Sequence, residues 1–243
     1  MIFLLHLYKG ESSVANILAD HFINFGEKIT VERGDMIYNA LCSKKEKSAY
    51  LLTSGIVAMT RNTKDGEERI YLYLSGRRLI GFAPFLIQQL GTGVFENRDR
   101  RIGRPDISLA AKTRCELYRI REEVCRELLA TDLKFNRLMI QALTVNYLEL
   151  LEHFQQALEE SAGTRFCRML LEAYIEETDG KLVIPRNITF AEMSKYLGTH
   201  PVTVSRIFAS LKKMGCIDKE HGVVVIKDKQ KLIKLIENGE EIR

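Results

Sequence analysis

The run from Arg121 to Glu160 contains neither proline nor glycine, and helix-forming residues dominate it. Apolar residues recur along it at Leu133, Ile140, Leu143, Tyr147, Leu150, Phe154 and Ala157, and from Ile140 onward the steps alternate between three and four. That spacing is a heptad seam. A single helix of about 35 residues would be roughly 50 Å long at 1.5 Å per residue, more than a small domain needs for its own core. Ile140, Leu143, Tyr147, Leu150 and Phe154 therefore predict a parallel two-helix dimer contact, with simple packing on a neighbouring domain as the alternative. Whatever fold the chain adopts must accommodate this rod in its middle.

Residues 28–120, ahead of the rod, divide into short alternating runs: KITVERGDMIYN, SAYLLTSGIVAMT, ERIYLYLSG, RRLIGF and ISLAAKTRCELYRI. Glycines separate several of them, and Asp65-Gly66 lies between two alternating runs as a hairpin signal. An all-β sandwich or roll is expected. FAPFLIQQLGTGVFENRDRRIGRP breaks the pattern and is expected to be an inserted loop or short helix.

Behind the rod, TRFCRMLLEAYIEE predicts another amphipathic helix, and DGKLVIP leads into TFAEMSKYLGTHPVTVSRIFASLKKMG. Thr189 with Glu192 three residues later is a capping-box pattern, which starts a helix at Phe190. Gly198 ends it. A second helix begins with Thr199 or His200 as cap and Pro201 in the first turn, where its missing N–H costs nothing. In that helix Val204, Ile207, Phe208 and Leu211 follow i, i+3, i+4, i+7 and must face a core. His200, Val202, Thr203, Ser205 and Arg206 are left outside, the arrangement of a helix-turn-helix whose second helix offers its N-terminal residues to base edges. The closing CIDKEHGVVVIKDKQKLIKLIENG fits a hairpin turning at His221-Gly222 and a last short helix, giving the motif a β wing.

Charge agrees with this placement. Residues 186–243 hold 11 Lys+Arg against 7 Asp+Glu, whereas residues 1–185 hold 25 of each. All the excess positive charge lies with the motif, as a phosphate-binding footprint requires. A solvated basic surface without a partner is the alternative.

The five cysteines are scattered without a CxxC pair, and no stretch approaches the roughly 18 apolar residues of a membrane span. MIFLLHLYKG lacks the basic leader and small-residue cleavage site of a signal peptide. A soluble, reduced, cytoplasmic protein with no cofactor and no metal site is expected. A Gly-rich phosphate loop, HExxH and GxSxG are all missing, so an enzyme is not expected.

LGTHPVTVSRIFASLKKMGCID resembles the recognition motif of the Crp/Fnr superfamily of transcription regulators, with Thr203, Val204, Ser205 and Arg206 in register. AAKTRCELYRI resembles the strand that closes that family's cyclic-nucleotide-binding-like roll. The resemblance implies an α+β chain: a double-stranded β-roll over 1–120, a long dimerisation helix over 121–160 and a winged helix-turn-helix over 161–243. It also implies a homodimer on double-stranded DNA, with RNA polymerase as a further partner. Thr189, Thr199, His200, Val202, Thr203, Ser205 and Arg206 are the expected DNA-binding residues. Many members carry a glutamate, which accepts from cytosine N4, where this chain has Val202; valine can only pack on a thymine methyl. The expected target is an inverted repeat with A·T-rich half-sites, unless Val202 contacts nothing.

Members that bind a cyclic nucleotide place a glutamate after the glycine of the roll's short helix and an arginine soon after. Here Phe82 follows Gly81, and the arginine position falls on Pro105, one residue from Arg104. A phosphate would lose its bidentate anchor, which argues against cyclic AMP. No cysteine precedes Cys42, which argues against an iron–sulfur cluster. His6, His21 or Cys42 would have to hold a haem, and a thiol switch would use Cys115 or Cys125, both better read as buried hydrophobes. ERIYLYLSGRRLIGF and GTHPVTVSRIFASLK most resemble the regulators of reductive dehalogenation, which are activated by halogenated phenols bound between roll and long helix. That resemblance implies a small aromatic effector against Gly81, Phe82, Pro84, Leu143 and Tyr147, with Arg98, Arg100, Arg101 and Arg104 of the insertion capping an anion or lying in solvent. The alternatives are an orphan regulator that binds DNA without a ligand, and a cyclic-nucleotide- or redox-sensing regulator.

Overall fold

The computed structural model describes residues 20–39, 48–64, 66–83, 86, 107–239 and 242. His6, Cys42, Asp65, Pro84, Pro105 and the insertion's four arginines lie outside them.

The strand-rich half is two antiparallel four-stranded sheets. One has the order β1 (Glu27–Val31), β8 (Cys115–Arg121), β3 (Ser48–Ser54), β6 (Arg78–Ile80). The other runs β2 (Met36–Tyr38), β7 (Ser108–Ala111), β4 (Ile56–Asn62), β5 (Glu68–Ser75). Two long ribbons pass from one sheet to the other, β3 into β4 and β7 into β8, and they pair with each other in both sheets. This is a double-stranded roll. The ribbons cross at Gly55, whose φ is +99° and whose hypothetical Cβ would stand 2.5 Å from the Arg114 carbonyl oxygen. Only glycine fits there. Leu52, Val57, Ala111, Cys115 and Leu117 fill the interior between the sheets.

The rod expected over 121–160 is divided. α1 (Glu122–Thr131) ends at Asp132, and α2 (Leu133–Glu159) starts from it. The Asp132 carboxylate accepts from the amides of Lys134 and Phe135 at 2.8 and 3.0 Å, and also bonds His21 Nε2 at 2.6 Å. An aspartate that satisfies free amides begins a new helix without help from proline or glycine. Phe135, Leu138 and Met139 then pack with Phe22, Phe82, Leu86 and Ile120 beneath the roll. Beyond them α2 turns apolar residues outward: Ile140, Leu143, Tyr147, Leu150 and Phe154 are 64, 41, 60, 48 and 63 % exposed.

α3 (Ala162–Ala173) is shorter than its sequence pattern suggests, because Ile175 and Glu176 leave the helix to form β9. A third sheet, β11 (Ile217–Glu220), β12 (Val223–Ile226), β10 (Leu182–Val183), β9 (Ile175–Glu176), supports α4 (Phe190–Leu197), α5 (Pro201–Lys213) and α6 (Lys229–Asn238). The core of this unit does not stop at its own boundary. Met169, Met193, Tyr196 and Leu197 share one apolar cluster with Ile56, Ala58, Ile70 and Tyr73 of the second sheet. The C-terminal unit is thereby docked on the roll. Among the described residues no helix is long and apolar enough to cross a membrane.

Candidate nucleic-acid interface

α4 begins where Thr189 Oγ1 accepts from the Glu192 amide at 3.3 Å. The reciprocal half of the capping box is not made. Glu192 instead turns its carboxylate to Lys112 at 2.5 Å and Lys195 at 2.8 Å. Burial alone would raise the Glu192 pKa, but the two ammonium groups outweigh it and hold it below the usual carboxylate range. Gly198 closes α4 at φ +64°, and its N–H donates to the Ser194 carbonyl. The chain reverses within Thr199 and His200. His200 Nδ1 accepts from the Val202 amide at 3.3 Å, and Pro201 opens α5.

α5 has two distinct faces. Val204, Ile207, Phe208 and Leu211 are buried, and the Phe208 ring meets Phe190 at 5.2 Å. His200, Val202, Ser205 and Arg206 are exposed and Thr203 half-exposed, with no acidic residue in the first turn. Arg206 makes no ion pair among the described residues. Ser205 donates its hydroxyl proton to the Pro201 carbonyl at 3.1 Å, which leaves its oxygen as an acceptor. His200, Val202, Thr203, Ser205 and Arg206 thus lie along the outer side of α5 and its cap, whereas Thr199 is half-exposed in the turn and Thr189 caps α4. The wing turns through His221 at φ +48° and Gly222 at φ +83°. Lys219 on the wing lies 5.5 Å over the Phe190 ring. Lys212, at the end of α5, is held by Asp218 at 2.5 Å.

The residues expected to contact an effector are dispersed. Phe82 is 2 % exposed and packs with Phe135, Leu138 and Met139, whereas Leu143 and Tyr147 lie on the outer side of α2. Gly81, at φ +73°, faces the Tyr50 ring so closely that a Cβ would stand 2.8 Å from it. His21, considered above for haem, is engaged by Asp132, and no group of three or more His, Cys, Asp or Glu among the described residues is placed to hold a metal. Cys115, Cys125, Cys167 and Cys216 are buried and unpaired. Burial pushes the Cys125 and Cys167 thiols up to about 12, so neither is a thiolate near neutrality.

Sequence reasoning missed the clasp between the two units. Glu192 bonds Lys112 of the roll, Lys195 bonds Glu68 at 2.8 Å, and Asn187 donates to the Lys112 carbonyl. Beside them Tyr196 stacks on Tyr73 at 5.3 Å and donates to Glu172 at 2.7 Å. Partners separated by more than a hundred positions, as Glu68 and Lys195 are, leave no local signature.

Residues 164–235, from the first turn of α3 into α6, match the model of the Crp-like helix-turn-helix domain. The chain carries a Crp-like helix-turn-helix. No curated protein sequence matches the chain. Among solved structures, FixK2 from Bradyrhizobium japonicum is similar, with 16 % identity over 86 % of this chain and 96 % of that one, at a TM-score of 0.65. A CRP-family transcriptional regulator from Thermus thermophilus has 15 % identity over 88 % and 98 %, also at 0.65. CprK, in a structure complexed with OCPA, has 20 % identity over 89 % and 92 %, at 0.50. At such identities the likeness establishes the fold: a Crp/Fnr-type arrangement of roll, long helix and Crp-like helix-turn-helix.

Proposed function

We propose that the protein is a homodimeric transcription regulator of the Crp/Fnr type, acting in the cytoplasm, which binds an inverted repeat in double-stranded DNA and responds to a small molecule. The outer face of α5 carries this reading. Val202, Ser205 and Arg206 are exposed, and Arg206 makes no ion pair among the described residues, on a helix whose opposite face is buried. Arg206 is suited to a guanine edge or a phosphate, and Thr203 and Ser205 to phosphates or bases. Thr189, Thr199 and His200, at the helix starts and the turn, would approach the DNA backbone. A dimer formed along Ile140, Leu143, Tyr147, Leu150 and Phe154 presents two such helices about a two-fold axis, hence the inverted repeat. The bound dimer would act on RNA polymerase at the promoter.

By resemblance to the dehalogenation regulators, and by the likeness in fold to CprK, the effector is a small aromatic molecule, with halogenated phenols the first class to test. In that reading it lies at the roll–helix boundary near Gly81, Phe82 and Pro84 and reaches α2 at Leu143 and Tyr147. Phe82 would have to leave its buried position to admit it. The fully packed Phe82 favours a second reading, an orphan regulator that binds DNA without a ligand.

Fluorescence anisotropy on a labelled operator tests the DNA assignment. Arg206→Ala should weaken binding by about 1–3 kcal/mol with Tm unchanged, since the side chain supports nothing in the fold. Undiminished affinity would refute its role.

A further inference from the structure

Where the roll, α2, α3 and the helix-turn-helix meet there is a cavity of about 280 Å³, open on one side. Four cationic side chains line it, Arg69, Arg165, Arg168 and Lys195, and no aspartate or glutamate does. Two of the four are already neutralised. Arg168 forks onto Glu160, with Nε at 2.9 Å and Nη2 at 2.7 Å, and Lys195 holds Glu68 and Glu192, each at 2.8 Å. The other two are not. Arg69, on β5, makes no ion pair among the described residues, and its Nη1 lies against Gly198 at the turn of the motif. Arg165, on α3, gives one N–H to the Leu197 carbonyl at 3.2 Å, but its Nε is buried without a partner. Burial, and then the charge of Arg165, keep His153 on the cavity wall neutral, pushing its pKa down to about 4.

Two unneutralised guanidinium groups and an orphaned buried N–H on one cavity define a receptor for negative charge. The remaining wall supplies Ile70, Ala157, Leu197 and the Tyr196 ring, which suit a flat apolar body rather than a bare ion. We infer that this cavity binds a small organic carboxylate, its charged end between Arg69 and Arg165 and its body against Ile70, Leu197 and Tyr196. Arg69 belongs to the roll and Arg165 to the Crp-like domain, so a carboxylate bridging them ties the two units together. Ala157 continues the heptad past Phe154, which puts the site beside the dimer seam. Ligand binding and the docked arrangement are therefore linked. That this linkage reaches DNA rests on the function proposed above; the binding itself does not.

Isothermal titration calorimetry on the full chain tests the site with three probes: benzoate, benzyl alcohol as its neutral counterpart, and inorganic phosphate as charge without an apolar body. The expected result is saturable benzoate binding at one per chain, with both other probes weaker by about tenfold or more. Arg69→Gln should lose about tenfold in benzoate affinity with Tm unchanged. Arg165→Lys, which keeps the charge but removes the planar fork, should lose a similar factor. No saturable benzoate binding overturns the proposal, as does unaltered affinity in both variants. Benzyl alcohol equal to benzoate removes the role of the arginines, and phosphate equal to benzoate removes that of the apolar wall. Operator affinity measured with and without benzoate then tests the linkage. Unchanged operator binding with intact benzoate binding overturns the linkage alone, and failure to bind any DNA overturns the proposed function without touching the calorimetry.

Discussion

Val202 is 52 % exposed at the second position of α5, a large apolar side chain open to solvent on that face. A valine there accepts no hydrogen bond, so a cytosine amino group opposite it would lose its partner while a thymine methyl would gain a contact. Val202→Glu is expected to move the preferred base at the facing position from T toward C, at about 1–3 kcal/mol of discrimination, measured as relative affinities on single-base operator variants. An unchanged base preference would mean that position 202 faces no base. At the clasp, Glu172 accepts from Tyr196 and is surrounded by Arg168 of its own helix and by Glu149 and Glu152 of α2. Burial pushes its carboxyl up to about 7 from an ordinary 4.5. The folded state then holds a proton that the unfolded chain has released, so this contribution is present in full below pH 4.5 and lost as pH rises through 7. His153 acts in the opposite sense, its depressed pKa removing stability as pH falls from 6.5 toward 4. Above pH 6.5 the two still oppose each other, because the histidine of the unfolded chain is half-protonated at its ordinary 6.5. Stability should fall by about half a kcal/mol between pH 6.5 and 8, and Glu172→Gln should turn that fall into a slight rise in thermal melts. A fall that survives the substitution would assign the proton elsewhere.

At the scale of elements, α2 is the unbalanced part of the molecule. A 27-residue helix whose Ile140, Tyr147 and Phe154 are each at least 60 % exposed presents an apolar strip that nothing among the described residues covers. Leu150 lies in the middle of that strip. Leu150→Asp should leave far-ultraviolet circular dichroism unchanged and convert the dimer to monomer in sedimentation equilibrium at micromolar concentration. A variant that stays dimeric would move the interface off the seam. The heptad itself was legible in the sequence because its period is local. The division of the rod at Asp132 was not, because an aspartate cap in a proline-free and glycine-free run differs from a helix interior only through the amides of Lys134 and Phe135 and its bond to His21. Thr189, Gly198, His200 and Pro201 were legible for the converse reason: each acts on amides or dihedrals within a few residues of itself.

At the scale of the whole chain, the three-part order of roll, rod and helix-turn-helix followed from strand alternation, the heptad and the capping pattern. What did not follow was the way the parts meet. The contacts of Glu68 with Lys195, Tyr73 with Tyr196 and Gly163 with Ile242 each join distant positions. At Gly163 a Cβ would stand 2.6 Å from that of Ile242, so Ile242 is seated by the absence of a side chain that only the folded structure explains. The same limit applies to the cationic cavity, whose Arg69 and Arg165 come from different units. The proposed function has this assembly read DNA as a two-fold dimer, and selection of random duplexes by the purified full chain, sequenced with and without benzoate and a set of chlorinated phenols, puts that to the test. The expected product is an inverted repeat with A·T-rich half-sites whose centres lie one helical turn apart, enriched by a factor that changes when the effector is present. Enrichment of no palindrome under any condition would overturn the proposed dimeric reading of DNA.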